Sequence, residues 1–219
     1  MGDVDPPVSV ARPRTGEPAI KWVFEGLLIV ISVGLGFWVA QIGESRRDRD
    51  LAARALASLQ AEVEHNVGLL EPMVPFHERW LGALAAVDGA AGTKSGFDVF
   101  QSLRPPIPKP AQAPFTVLRR SSWDAAVSGG ALRLIDYEVV AALSDIYRVQ
   151  EIVADNVDRL ASGALASADS FTPARRPETL RLLWLTLADI TSAERALLEL
   201  SRTHLPALRS AAAGAGGVD

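Results

Sequence analysis

The sequence predicts an all-α protein: an N-terminal transmembrane helix continuing into an antiparallel helical bundle of three long helices and one short helix. Three observations carry that prediction. Residues 26–43, GLLIVISVGLGFWVAQIG, form an apolar run without a charge. Alanine and leucine dominate while aromatics reach only 6%, a bias towards helix over strand. Much of the remaining chain repeats apolar residues every three or four positions, and no sustained period-2 alternation is found.

The chain has 219 residues, 48% of them hydrophobic, enough for one domain with a real core plus an anchor. Its formal charge of −4 argues against a nucleic-acid partner, because phosphate neutralisation demands a basic surplus. There is no cysteine, which excludes disulfides, thiolate nucleophiles and cysteine-bound zinc.

Residues 1–20 hold four prolines and mixed charges and are predicted to be a disordered tail. Residues 21–43 are predicted to be the transmembrane helix. At about 1.5 Å per residue the uncharged run covers about 27 Å, close to the hydrocarbon thickness of a bilayer. Trp22 and Trp38 stand near its two ends, at interface positions. No small-x-small cleavage site follows, since Trp38 stands two residues before Ala40, so an uncleaved anchor is expected rather than a signal peptide. Arg46, Arg47, Arg49 and Arg54 follow the run and Arg12, Arg14 and Lys21 precede it, which leans towards a cytoplasmic C-terminal domain. Ser32, Gly36 and Ala40 recur every fourth residue, a small-xxx-small ridge on which two spans can pack as a homo-oligomer.

Residues 44–210 are predicted to be the bundle domain. The first long helix carries the stripe Leu56, Leu59, Val63, Asn66, Leu70, Met73, His77, Trp80, Leu84 and Val87. Arg54, Glu62, Glu64, Glu71 and Arg79 are placed on its solvated face, and Pro72 and Pro75 predict a kink or break. Residues 88–120 lose the period and, with five prolines in RPPIPKPAQAP, are predicted to be a loop with extended segments. A short helix follows, capped by Ser121 or Ser122, with Asp124 in its first turn and Gly129–Gly130 at its end. Asp136 caps the second long helix, whose stripe runs Val139, Leu143, Ile146, Gln150, Val153, Val157, Leu160 and Ala164. Pro177 stands in the first turn of the last helix, on which Leu180, Leu183, Leu187, Ile190 and Leu197 share one track, widened by Leu198, Leu205 and Leu208. Residues 211–219 are predicted to be a flexible, glycine-rich tail.

Catalytic motifs are absent: there is no G-x-S-x-G elbow, no phosphate-binding loop, and HERWL at 77–81 lacks the second histidine of a zinc-binding helix. His77 lies on the apolar stripe and reads as a hydrogen-bonded core histidine. Polar pairs such as Glu62 with Asn66 and Asp155 with Asp158 are assigned to solvated faces. No catalytic residue, metal ligand or cofactor is therefore predicted. SSWDAAVSGGALRLIDYEVV is a poor helix-turn-helix, because acidic residues open the second helix. The candidate pocket or interaction residues are Trp123 and Tyr147, with Asp124 and Tyr137 beside them.

RRDRD at 46–50 and the series Trp123, Ala126, Gly130, Ala131, Leu132, Tyr137, Val140, Leu143, Ser144, Tyr147 and Gln150 resemble a group of uncharacterised bacterial single-pass membrane proteins with a domain of unknown function. The resemblance covers roughly residues 20–160 and implies a membrane-tethered helical domain in the bacterial inner membrane, with no activity assigned. The leading expectation is a non-enzymatic interaction or scaffolding protein, whose partners are the bilayer, an unidentified protein and a second copy of itself. The alternatives are a membrane-tethered sensor of a small ligand and an enzyme of unrecognised type.

Overall fold

A computed structural model describes residues 18–87, 92–164 and 168–216. Five α-helices follow one another: α1 (Pro18–Ala85), α2 (Gly96–Ser102), α3 (Ser121–Ser128), α4 (Tyr137–Arg159) and α5 (Arg176–Gly216). Short single turns of helix lie between them, at Ala131–Leu134, Leu160–Ala164, Ala168–Phe171 and Pro173–Arg175. No strand occurs among the described residues. The chain divides into two compact units, residues 1–47 and residues 48–219.

In the first unit α1 starts at Pro18, inside the stretch expected to be a tail, with proline at the position where its missing N–H costs nothing. Every residue from 24 to 47 is exposed. Among the described residues this is the one helix long and apolar enough to cross a membrane. The rest of the expected tail, residues 1–17, lies outside the described residues.

In the second unit α1 buries nine of the ten stripe residues named above, and Val87 is half-buried. Pro72 and Pro75 do not break it. An interior proline costs about 3 kcal/mol. Here Met73, Val74, Phe76 and Trp80 flank the two prolines with buried side chains, each contributing about 1.5–3 kcal/mol. Packing outweighs the two missing bonds.

Cross-helix pairs define the arrangement. Glu62 meets Tyr147 and Asn66 meets Gln150, so both numbers rise together and α1 and α4 run in the same direction. On α5 the order reverses: Glu78 pairs with Arg195, Glu71 with Arg202 and Glu64 with Arg209. The last helix is thus antiparallel to the other two. The three glutamates and the three arginines each recur every seventh residue, the spacing that keeps one seam of two helices in register.

The interior has two apolar clusters. One joins Leu59, Val63, Leu143, Ile146, Leu197 and Leu208; the other joins Phe76, Trp80, Phe100, Leu183, Leu187 and Ile190. α2 belongs to the second and was not visible as a period, since it is a single seven-residue helix within the expected loop. Ser95 caps it by accepting the Asp98 N–H. Gly96 lets it approach α5, because a Cβ there would lie 2.6 Å from Thr179 Cβ. Gly130, with φ +69°, makes the left-handed turn after α3.

Two ends depart from expectation. α4 gives way to a wider turn at Leu160–Ala164, and residues 165–167 lie outside the described residues. α5 does not stop at Ser210 but continues to Gly216, where Ala211, Ala212 and Ala215 pack on the first cluster. Alanine's high helix propensity and this contact offset the two glycines.

Candidate functional site

Glu62 is the largest correction to the sequence reading. Placed on the solvated face, it is instead buried, at 5% exposure, and four groups donate to its carboxylate. The Ser122 N–H and Tyr147 O–H bond it at 2.8 and 2.7 Å, and the Ser121 O–H and Trp123 N–H at 3.1 and 3.3 Å. Neither Ser121 nor Ser122 caps α3 with its own side chain, contrary to expectation; α1 supplies the cap through Glu62. The first-turn N–H groups of a helix favour a negative partner, so one carboxylate fixes α3 and α4 against α1. Burial pushes the Glu62 carboxyl up. The four hydrogen bonds outweigh burial and hold it below its ordinary value of 4.5. Burial, the bond to Glu62 and the Glu62 charge in turn push the Tyr147 phenol far above its ordinary range.

One turn along, Asn66 takes the Arg119 backbone at both ends. Its side-chain oxygen accepts the Arg119 N–H at 2.9 Å, and its nitrogen donates to the Arg119 carbonyl at 2.7 Å. Gln150 donates to the same carbonyl at 2.9 Å. Two stripe positions, polar exceptions to an apolar face, thus hold residue 119 against α1 and α4.

A second buried polar site lies earlier on the same segment, at Pro114. His77 is fully buried between Glu194, 2.7 Å from Nδ1, and the Pro114 carbonyl, 2.8 Å from Nε2. Both ring nitrogens are thus engaged by oxygen atoms of other elements. Phe115 stacks on the imidazole with centroids 5.3 Å apart. The role of core histidine holds, and Glu194, legible only as a polar residue on α5, is its partner.

Of the four candidate pocket residues, the structure brings Trp123 and Tyr147 together, stacked with centroids 4.7 Å apart and an interplanar angle of 21°. Asp124 is exposed and pairs with Arg120 at 3.2 Å. Tyr137 is 83% exposed at the start of α4 and joins neither. Tyr147 is buried with its hydroxyl engaged, so the pair is a wall rather than an opening.

The opening lies further along α4. Residues 115–118, strung between the anchors at Pro114 and Arg119, cover a cavity of about 310 Å³ against Val153, Ala154 and Val157. Thr116 Oγ1 is buried there without a hydrogen-bond partner among the described residues. Glu151 and Asp158 stand at its edge. Among the described residues, no three histidine or carboxylate side chains converge as a metal site.

In the first unit, the Ser32 hydroxyl donates to the Leu28 carbonyl of its own helix at 2.7 Å. Gly36 has open space where a Cβ would stand, and Ala40 is exposed on the same helix.

No family model, curated protein or solved structure matches this chain.

Proposed function

We propose that this is a non-enzymatic protein that holds a protein partner at a membrane: a single-pass anchor in the bacterial inner membrane carrying a cytoplasmic helical bundle. The observation that carries the reading is the apolar helix near the N-terminus, whose uncharged run 26–43 is exposed throughout and needs lipid or another helix around it. Two further observations support it. The buried ionisable groups Glu62, His77 and Glu194 each hydrogen-bond across elements of the bundle, which gives them a structural part in holding it together. On α5, Leu182 and Leu185, one turn apart, are both exposed apolar residues of the kind that mark a protein contact.

Affinity purification of the full chain from its own membranes in mild detergent tests this reading. A stoichiometric protein partner, lost in the Leu182→Glu/Leu185→Glu variant, is the expected result. A chain that purifies alone, or that leaves the membrane on washing with carbonate, overturns it. Association through Ser32, Gly36 and Ala40 predicts that replacing all three by Leu removes dimers; an unchanged oligomer size refutes that part.

A second reading, a membrane-tethered module that senses a small ligand, is favoured by one observation: the cavity under residues 115–118. In that case a small molecule co-purifies with the chain.

A further inference from the structure

We infer that the cavity between residues 115–118 and α4 binds a small amphipathic organic cation, with an apolar ring or short chain inside and an ammonium group at the mouth. The inference rests on the ligand-sensing reading and supplies its ligand class.

Size comes first. About 310 Å³ lies at the small end of the range of ligand sites, which favours a molecule of one ring or a short chain over a nucleotide or a peptide. Phe115, Leu118, Val153, Ala154 and Val157 make the lining predominantly apolar, so the body of the ligand is apolar too.

Charge decides the rest. Three charged residues line the cavity: Arg120, Glu151 and Asp158. The Arg120 guanidinium already faces both oxygens of Asp124 at 3.2 Å. Glu151 and Asp158 have no ion pair among the described residues, and they stand two turns apart on one helix, about 10.5 Å along its axis. The edge therefore presents uncompensated negative charge, which attracts a cation and repels a carboxylate or phosphate. Gln150 also lines the cavity, but its amide is occupied by Arg119 and Asn66. Thr116 is different: its buried hydroxyl can both donate and accept, and it has no partner among the described residues. That hydroxyl is itself sealed from solvent-sized probes, so the cavity offers a ligand apolar walls and the carboxylates at its edge.

The covering segment has a matching construction. It is fastened at Pro114 through His77 and at Arg119 through Asn66 and Gln150, while between them Val117 is 91% exposed. A ligand beneath it touches both α4 and a strap tied to α1.

Isothermal titration calorimetry on the full chain in detergent tests the inference with three probes of similar size: 2-phenylethylammonium, neutral 2-phenylethanol and anionic 3-phenylpropionate. The ammonium probe is expected to bind about fivefold more tightly than the alcohol, the measure of one or two partly exposed ion pairs. The Glu151→Gln/Asp158→Asn variant should remove that preference while leaving the alcohol unchanged. Ala154→Trp, an exposed position at the cavity, should abolish binding of both without unfolding the bundle. Equal binding of all three probes, still abolished by Ala154→Trp, overturns the cation assignment and leaves the ligand-sensing reading standing. Absence of saturable binding by any probe at millimolar concentration, or binding indifferent to Ala154→Trp, overturns the cavity as a ligand site.

Discussion

Glu62 shows how one side chain can decide the position of two helices. Replacing it by Gln puts an amide NH2 where only donors converge, and is expected to cost about 2–3 kcal/mol of stability, read from urea unfolding near neutral pH. Tyr147→Phe removes one of four donors and should cost about 1 kcal/mol. The pH dependence follows from the carboxyl being held below 4.5 in the fold. Between the native value and 4.5 the unfolded chain binds more protons, so stability rises with pH through that interval. The Glu62 contribution is complete above 4.5 and lost as pH falls through the native value. Urea midpoints measured from about pH 6 to pH 3 should therefore converge for the native chain and Glu62→Gln; a gap that stays constant refutes the assignment. His77 makes a sharper case. His77→Phe leaves the Glu194 carboxyl buried without its partner and is expected to cost about 3–5 kcal/mol, much of which the added Glu194→Leu change should restore. At this scale Trp123, at the start of a short helix, and Tyr147, within the second long one, were legible as unusual residues. Glu62 was not, because its partners lie 59–85 residues away and periodicity reports only which face of a helix is mostly apolar.

Among the elements, α1 and α5 are matched by the three ion pairs spaced at sevens. Arg209 donates to Glu64 at 2.7 Å and holds that carboxyl below its ordinary value. All three pairs are partly exposed, and each contributes about 0.2–1 kcal/mol. Their larger role is to select direction and register. Reversing Glu64, Glu71 and Glu78 to Arg should lower the melting temperature, and reversing Arg195, Arg202 and Arg209 to Glu in the same chain should recover it. Failure of the sixfold variant to recover would assign the register to the apolar seam instead. The long stripes of α1, α4 and α5 were all readable, since most residues on them are buried. The 64–71–78 and 195–202–209 series were equally present in the sequence, but a charge every seventh residue on one helix has no meaning until its partner helix is known. α2 escaped because seven residues are too few to display a period, and its cap at Ser95 was its only local mark. The survival of α1 through Pro72 and Pro75 was hidden for the opposite reason: local chemistry argued for a break and tertiary burial overruled it.

For the molecule as a whole, both apolar clusters draw their residues from position 52 onwards, within the second unit. A chain beginning at Asp48 is therefore expected to fold into the same bundle and melt in one cooperative transition, monitored by circular dichroism at about 222 nm; a non-cooperative melt would give the first 47 residues a part in the core. The reversal of α5 has a further consequence, for the order of synthesis. α1 leaves the ribosome first, yet its partners on α5 stand 117, 131 and 145 residues later. Contacts so distant in the chain form slowly. Until the last helix emerges, the Leu70–Trp80 face of α1 has no α5 surface to lie against, and a chain cut short before Arg176 never acquires one. A nascent or truncated product is thus marked by its own exposed stripe as unfinished, a target for chaperones and proteases that the completed chain conceals.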